Sequence, residues 1–577
     1  MDRRVLLAIL LMMAVMVGPA LFFKRPPPRV GVTVGRTDSA RVSPAARPAD
    51  TLAARPALAA APPLDSTIAQ LREDTILVTS SLYRYGFSTR GGRLIEATLF
   101  KYNSMRPEDR GQPAQLLLPG SELLQLSLLI GADTVSLRDW QFTPSAPSLN
   151  ITEPTPLSFT AQRGELTVFL NYTFRPDNYL VDVTGRLTGI GPNGATLLLG
   201  MGPGLRNTES DSVEHQRELS VVVKNGKASL TRFMALSHKA GDLWEPRRMA
   251  FNGPFEWVAV KSKYFVTAVL ALDTTGIEGR RGGGGISGAS AIGAERVKAP
   301  TRATISAGLP VPAAGAFRFQ LYAGPLEYPR LRAIGHDFDD VNPYGWPGLR
   351  TIIRPVALGA RSLLVWFHDG LGLAYGVGLI LFGIAIRIVL WPLNQKAMRS
   401  SMALQAVQPL MKELQEKHKG DPQRLQQEMF KLYKEHNVNP LGGCWPMLLP
   451  IPILFAFFFV FQNTIELRGA SFLWLPDLSR ADPTYIIPIL MGLSMFALSW
   501  IGQRGMPPNP QTKMMLYLMP GMMTFLFLRF ASGLNLYYTV MNLASLPQQW
   551  LLSRERLRRN PAPPPVPAKP KPLPGKR

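Results

Sequence analysis

The sequence predicts a membrane α-helical bundle of six transmembrane helices joined to a large all-β domain beyond the bilayer. Three observations predict it. Apolar runs long enough to reach across a hydrocarbon core lie at the N-terminus and in the last third of the chain. About 280 residues between them alternate apolar and polar side chains, punctuated by Gly and Pro. Much of the excess of 63 Lys+Arg over 40 Asp+Glu sits beside the apolar runs, where it sets orientation. Only 18% of residues are charged, against roughly one quarter in a soluble domain. A single Cys excludes a disulfide framework and a thiolate zinc cluster.

Residues 1–23 read as an N-terminal transmembrane anchor. Val5 to Phe23 is an apolar run of 19 residues behind Asp2-Arg3-Arg4, longer than the roughly 7–15 of a signal-peptide core. Residues 24–64 hold eight Pro, ten Ala and seven Lys/Arg without apolar periodicity, the composition of a disordered tether.

Residues 65–346 form the β domain. Leu166, Val168, Leu170, Tyr172 and Phe174 alternate, and after Arg175-Pro176-Asp177-Asn178 a second set follows at Tyr179, Val181 and Val183. Asn225-Gly226 joins two short apolar runs, a hairpin signal. Phe317, Phe319 and Leu321 alternate again, so a large β-sandwich is expected. Arg280 to Gly285 reads as a surface loop within it.

Residues 347–370 read as an amphipathic interfacial helix. Arg350, Arg354 and Arg361 recur at helical spacing, with Ile353, Val356, Leu363, Leu364 and Phe367 at other positions. Such a helix lies in the headgroup plane or packs on the β domain. Residues 371–552 then carry five spans: Leu371–Leu393, Pro446–Asn463, Tyr485–Ile501, Met514–Phe530 and Leu534–Leu552. Some are short and contain Pro, so tilted packing is expected. Eight Lys/Arg in 393–445 and eight more in 553–577 flank weakly charged links. That bias places both termini in the cytoplasm and the β domain outside.

The segment 394–436 reads as a cytoplasmic helical hairpin broken at Gly420-Asp421-Pro422, with Asp421 as N-cap and Pro422 in the first turn. The basic, Pro-rich tail 553–577 suits lipid contact or, more specifically, ribosomal RNA.

Motifs for covalent chemistry are missing: GxxxxGK[ST], HExxH, paired Cys and the nucleophile elbow do not occur. His215, His238 and His336 are isolated in the β domain and read as structural. No enzyme, cofactor or metal site is expected. The informative polar residues lie in the spans. Arg387 stands in an otherwise apolar stretch, five residues before Pro392, or roughly 7 Å deep. Asn535, Tyr538, Asn542, Ser545 and Gln549 recur every three or four residues down the last span. A polar stripe can serve interhelical hydrogen bonding; beside an intramembrane arginine without a mid-span acid, it also suits a hydrated groove.

Several motifs resemble the YidC family of membrane protein insertases. These are Asn439-Pro440-Leu441-Gly442-Gly443-Cys444-Trp445-Pro446 with Pro450-Ile451-Pro452-Ile453, Arg387 with Trp391-Pro392-Leu393, and Ser532-Gly533-Leu534-Asn535-Leu536-Tyr537-Tyr538. Upstream, Phe87 to Arg93, Trp257 to Phe265 and Tyr322-Ala323-Gly324-Pro325 resemble the periplasmic domain of Gram-negative members. The resemblance implies an insertase and chaperone for inner-membrane proteins, acting on nascent chains alone or beside the Sec translocon, with the ribosome and the lipid bilayer as neighbours. It implies a five-helix insertase core around a hydrophilic groove and a periplasmic β-supersandwich of sugar-mutarotase type. By position, Arg387 would draw in polar or acidic segments, and Tyr537 and Tyr538 would contact substrate. Phe455, Phe458, Met515 and Phe525, on spans three and five, would guide the apolar substrate helix into lipid. Pro450, where a groove glutamine is expected, and Arg529, where an aromatic is expected, depart from the pattern. Two other classes stay open: a secondary transporter using the polar stripe, and a membrane-tethered carbohydrate-binding protein using the β domain.

Overall fold

The computed structural model describes residues 73–272, 285–346, 348–418, 420–436, 450–504 and 510–559. The expected anchor, the tether, the Arg280–Gly284 loop, the Asn439–Pro446 motif and the tail beyond residue 559 lie outside the described residues. So does the side chain of Met515.

The β domain is built from the alternation read above. In the strand Leu166–Phe174, Val168, Leu170, Tyr172 and Phe174 point inward. It pairs antiparallel with Leu180–Thr188, which pairs in turn with Ala316–Pro325. These belong to a nine-stranded sheet, accompanied by six-stranded and five-stranded sheets. Ser220–Asn225 and Lys227–Arg232 form the expected hairpin, turning at Gly226 with φ +60°. Facing sheets meet through aromatic rings: Phe87 lies 5.0 Å from Tyr172, and the Tyr85 hydroxyl donates to Ala323 O at 2.6 Å. Trp257–Lys261 and Phe265–Ala271 are buried at every position rather than alternately. Both faces of these inner strands are covered, and even Lys261 is enclosed, its amine donating to Asn342 Oδ1 at 3.1 Å.

Ten helices are described: α1 (Ser212–Glu218), α2 (Tyr328–Ile334), α3 (Arg350–Leu371), α4 (Tyr375–Ala406), α5 (Gln408–Lys417), α6 (Pro422–Glu435), α7 (Pro450–Asn463), α8 (Ile486–Gln503), α9 (Pro510–Phe527) and α10 (Ser532–Arg559). Asp421 caps α6 as expected, its Oδ1 accepting from Arg424 N at 3.0 Å. Among the described residues, α8 alone is both long and apolar enough to cross a membrane by composition. Shorter apolar stretches occupy 375–389, 452–463 and 516–527. Eighteen residues of α9 correspond to ~27 Å of helix.

The arginines of α3 have a specific placement. Arg350 pairs with Asp340, Arg354 with Asp339 and Arg361 with Glu466. The three cations turn inward, toward the β domain and the α7–α8 link. The opposite face of α3 exposes Ile352, Val356 and Trp366. The α3 arginines thus pack against acids of the β domain and of the α7–α8 link.

The two halves are also joined through Arg468, just beyond α7. Its side chain is 2% exposed. Nε donates to both carboxylate oxygens of Glu209 at 2.9 and 3.0 Å, Nη1 to Asn103 O at 2.7 Å, and Nη2 to Thr208 O at 3.0 Å. Asn342 and Asn463 add reciprocal amide bonds: Asn342 Nδ2 to Asn463 O at 3.2 Å, and Asn463 Nδ2 to Pro343 O at 3.0 Å. A buried guanidinium with every bond directed at one partner surface fixes an orientation as well as a contact.

Candidate functional site

Small residues bring α4 against α10. A Cβ on Gly383 would stand 3.2 Å from Val540 Cγ1, so the helices approach closely there. Arg387 is one turn further along α4 and so projects from the same face. Its Nη2 donates to Gln548 Oε1 at 2.5 Å, and Gln548 Nε2 donates to Trp391 O at 3.1 Å. Gln548 is 1% exposed. Among the described residues no carboxylate pairs with Arg387, and its Nε is buried without a partner.

The partner of Arg387 is Gln548, which stands outside the polar stripe Asn535, Tyr538, Asn542, Ser545 and Gln549. The reason is rotation about the α10 axis. Asn535, Asn542 and Gln549 are seven apart and share one face; Tyr537 and Gln548 are eleven apart and share another, about 200° away. The first face packs on α8 and α9. Asn535 Nδ2 donates to Phe527 O at 3.1 Å, at the end of α9. Asn542 Nδ2 donates to Ser494 Oγ at 3.0 Å, and Ser494 donates on to Met491 O at 2.7 Å. A Cβ on Gly502 would meet Gln549 Nε2 at 2.3 Å, so Gln549 lies over that glycine. Ser545 bonds back to Met541 O at 2.6 Å within its own helix.

The second face meets α4 and α7. Tyr537 stacks on Phe457 at 4.1 Å and 12°. Tyr538 crosses Phe527 at 5.6 Å and 78°, and its ring lies 5.3 Å from that of Tyr537. Both hydroxyls are buried without a protein partner, as is Asn535 Oδ1. Four polar groups in one helical core, counting Arg387 Nε, are thus unpaired. Buried polar groups are rarely left so, because each forfeits its hydration.

The aromatic residues expected to guide substrate divide. Phe525 exposes 77% of its surface. Phe455 and Phe458 instead pack on Trp346, at 4.7 Å and 78° and at 6.2 Å and 27°, and Phe458 also meets Phe530. Trp346 comes from the end of the β domain, so no helical periodicity could assign it to this face. Gln548, Ser494, Phe457 and Trp346 were all missed. For Gln548 a signal existed, the eleven-residue spacing to Tyr537.

Two family models cover most of the described chain: the YidC periplasmic domain matches residues 75–358, and the 60Kd inner membrane protein matches residues 366–559. The membrane protein insertase YidC of Syntrophus aciditrophicus (strain SB) is 30% identical over 96% of this chain and 100% of its own length. The chain belongs to the YidC family of membrane protein insertases. The YidC of Chlorobaculum tepidum is likewise 30% identical, over 95% of this chain and 94% of that protein. A crystal structure of an active YidC insertase with its first transmembrane domain resolved is 18% identical, covers 83% of this chain and 93% of that chain, and superposes with a TM-score of 0.33. The YidC family models meet inside α3, between residues 358 and 366. That helix is shared physically as well: its arginines pair with the β domain and the α7–α8 link, and Ile353, Ala357, Ala360 and Leu364 are buried in the helical core.

Proposed function

We propose that this chain inserts and helps fold integral inner-membrane proteins through a hydrophilic groove bounded by α4, α7, α9 and α10, with Arg387 supplying its positive charge. Insertion is the activity its relatives are named for. The observation that carries the groove is the row of unpaired buried groups, with Arg387 Nε toward one end and the Tyr537 and Tyr538 hydroxyls toward the other, roughly 16 Å along α10.

The mechanism needs no cofactor. A substrate's polar or acidic flank loses hydration on entering the bilayer, and a guanidinium held by Gln548 without a competing carboxylate offsets part of that cost. Gln548 also ties to Trp391 O, so the guanidinium is positioned rather than free to swing to the headgroups. The apolar span of the substrate then leaves past exposed α9 residues such as Tyr517 and Phe525. Its burial in lipid supplies the driving force, ~25 cal/mol per Å². In this arrangement Asn535, Asn542, Ser545 and Gln549 hold α10 against its neighbours, while Arg387, Tyr537 and Tyr538 line the polar space.

The same proposal places six spans in the inner membrane, both termini in the cytoplasm and the β domain in the periplasm. The α5–α6 hairpin, which exposes Leu410 and Phe430, lies at the groove mouth, where ribosome or Sec translocon would meet it. The test is insertion of a single-span substrate with an acidic exported tail by purified protein in liposomes. Arg387→Ala lowers the yield about tenfold, the scale of one charge-assisted bond, and Arg387→Lys keeps part of it. Normal insertion by Arg387→Ala for every such substrate removes the arginine from the mechanism.

A further inference from the structure

Where the β domain, α2 and α3 meet lies a cavity of about 410 Å³, lined chiefly by Tyr328, Arg332, His336, Asp337, Asp339 and Arg354. Four cations and three carboxylates share this corner. Lys224 donates to Asp337 at 3.0 Å, Arg354 pairs with Asp339 and Arg350 with Asp340. Arg332 is the cation left over. Among the described residues it has no carboxylate partner, and its Nη1 donates to the neutral Tyr328 hydroxyl at 3.0 Å.

The cavity wall is held in an unusual backbone shape. Gly335, His336 and Asp337 all have left-handed φ values, +87°, +51° and +44°, which side chains other than glycine's rarely adopt. The loop is pinned from behind: Trp257 Nε1 donates to His336 O at 3.1 Å, and the buried Lys224 amine grips Asp337. Such strain survives only where the surroundings impose it.

The floor is α3, which contributes Arg354 and Leu358. Its opposite face exposes Ile352, Val356 and Trp366 without a charge. With that face at the acyl boundary, one helix diameter of ~10 Å raises the cavity to the level of the lipid headgroups. We propose that this cavity holds the phosphodiester of an outer-leaflet phospholipid, with Arg332 as its charged anchor. This rests on the reading given under Proposed function and adds to it that α3 lies at the periplasmic membrane surface. A phosphodiester carries one negative charge, matching the single uncompensated guanidinium, and guanidinium suits a phosphate oxygen pair. Leu358 offers the apolar side along which the glycerol backbone descends toward the bilayer. The bound lipid would bridge α2 and α3 and tie the β domain to the membrane surface.

The experiment is native mass spectrometry of the purified full chain titrated with dioleoyl phosphatidylglycerol, dioleoylglycerol or inorganic phosphate, with insertion in liposomes measured on the same preparations. Wild type is expected to hold one phosphatidylglycerol that Arg332→Ala binds about tenfold more weakly. Dioleoylglycerol, lacking the phosphate, is expected not to compete. Arg332→Glu should abolish the extra lipid, and Arg332→Lys should restore part of it, which a general loss of folding would not do. Equal lipid occupancy in wild type and Arg332→Ala overturns the proposal. Displacement by inorganic phosphate at the same site shows free phosphate to be the ligand and overturns the lipid assignment. Unchanged occupancy with normal insertion defeats this site alone; absence of insertion by wild type defeats the functional proposal instead.

Discussion

Replacing Arg468 by Ala should loosen the β domain from the helical core more than any other single change outside the spans. The substitution deletes four hydrogen bonds and leaves Glu209, whose side chain is 11% exposed, charged and unpaired between two packed surfaces. Breaking a buried ion pair from one side costs ~3–5 kcal/mol, most of it the stranded charge. At ~3 kcal/mol the opening equilibrium of this junction rises by about a hundredfold or more. Hydrogen exchange of the full chain in nanodiscs reads this directly, because Met105 N bonds to Thr208 O at 2.8 Å beside the clamp. Peptides covering 100–110 and 204–212 should exchange about a hundredfold faster, while Leu166–Phe174, deep in the nine-stranded sheet, keeps its protection. The double variant Arg468→Met with Glu209→Leu should recover much of that protection, since no charge is then stranded. A change below about threefold in the single variant, or no recovery in the double, would refute the idea that this pair holds the junction.

Other consequences follow from the same geometry. Gln548→Leu removes both the acceptor of Arg387 and the donor to Trp391 O, so liposome insertion of an acidic-tailed substrate should fall severalfold, whereas Gln549→Leu should chiefly lower the melting temperature. Gly492→Ala would put a Cβ 1.9 Å from Thr524 Oγ1, so it should destabilise α8–α9 packing by ~1–3 kcal/mol; Thr524→Ala in the same chain should restore the melting temperature, and a neutral single variant would contradict the contact. Burial in the β domain holds His215 down to about 4, so it stays neutral where the unfolded chain, at ~6.5, takes up a proton. Its contribution is complete above pH ~6.5 and is lost as pH falls toward 4, on the order of 3 kcal/mol in all. Denaturant titrations of full-length His215→Gln between pH 7 and 4 should show a flatter pH dependence than wild type, and identical slopes would sink the assignment.

Much of this protein is legible in its sequence. Strand alternation at Leu166–Phe174 and Ala316–Pro325, the Asn225-Gly226 hairpin and the Asp421 cap all depend on residues close in sequence, where period and propensity act directly. Arg387 announced itself because a guanidinium in an apolar stretch is costly wherever it ends up. The α10 stripe was half legible. Its residues were visible as polar, but the face each presents to a neighbour depends on the rotation of one helix against another. The stripe marks one face of α10, and Gln548 lies with Tyr537 on another about 200° away, where sequence spacing alone does not show what it meets.

Partners far apart in sequence were beyond reach. Nothing local joins Arg468 to Glu209, Arg361 to Glu466, or Trp346 to Phe455. Those pairings arise when a sheet edge, a linker and a helix end arrive at one place, and a charge or ring finds its complement there.

By itself, then, the sequence determined the two-part architecture, the expected family and an arginine set in an apolar stretch, because each is written in local periodicity, composition and motif. Only the tertiary structure decided that the α3 arginines turn inward, that Gln548 holds Arg387, and that the β domain is clamped through Arg468. Hydrogen bonds and ion pairs act over a few ångströms of space, and the sequence separation of their partners carries no information about that distance.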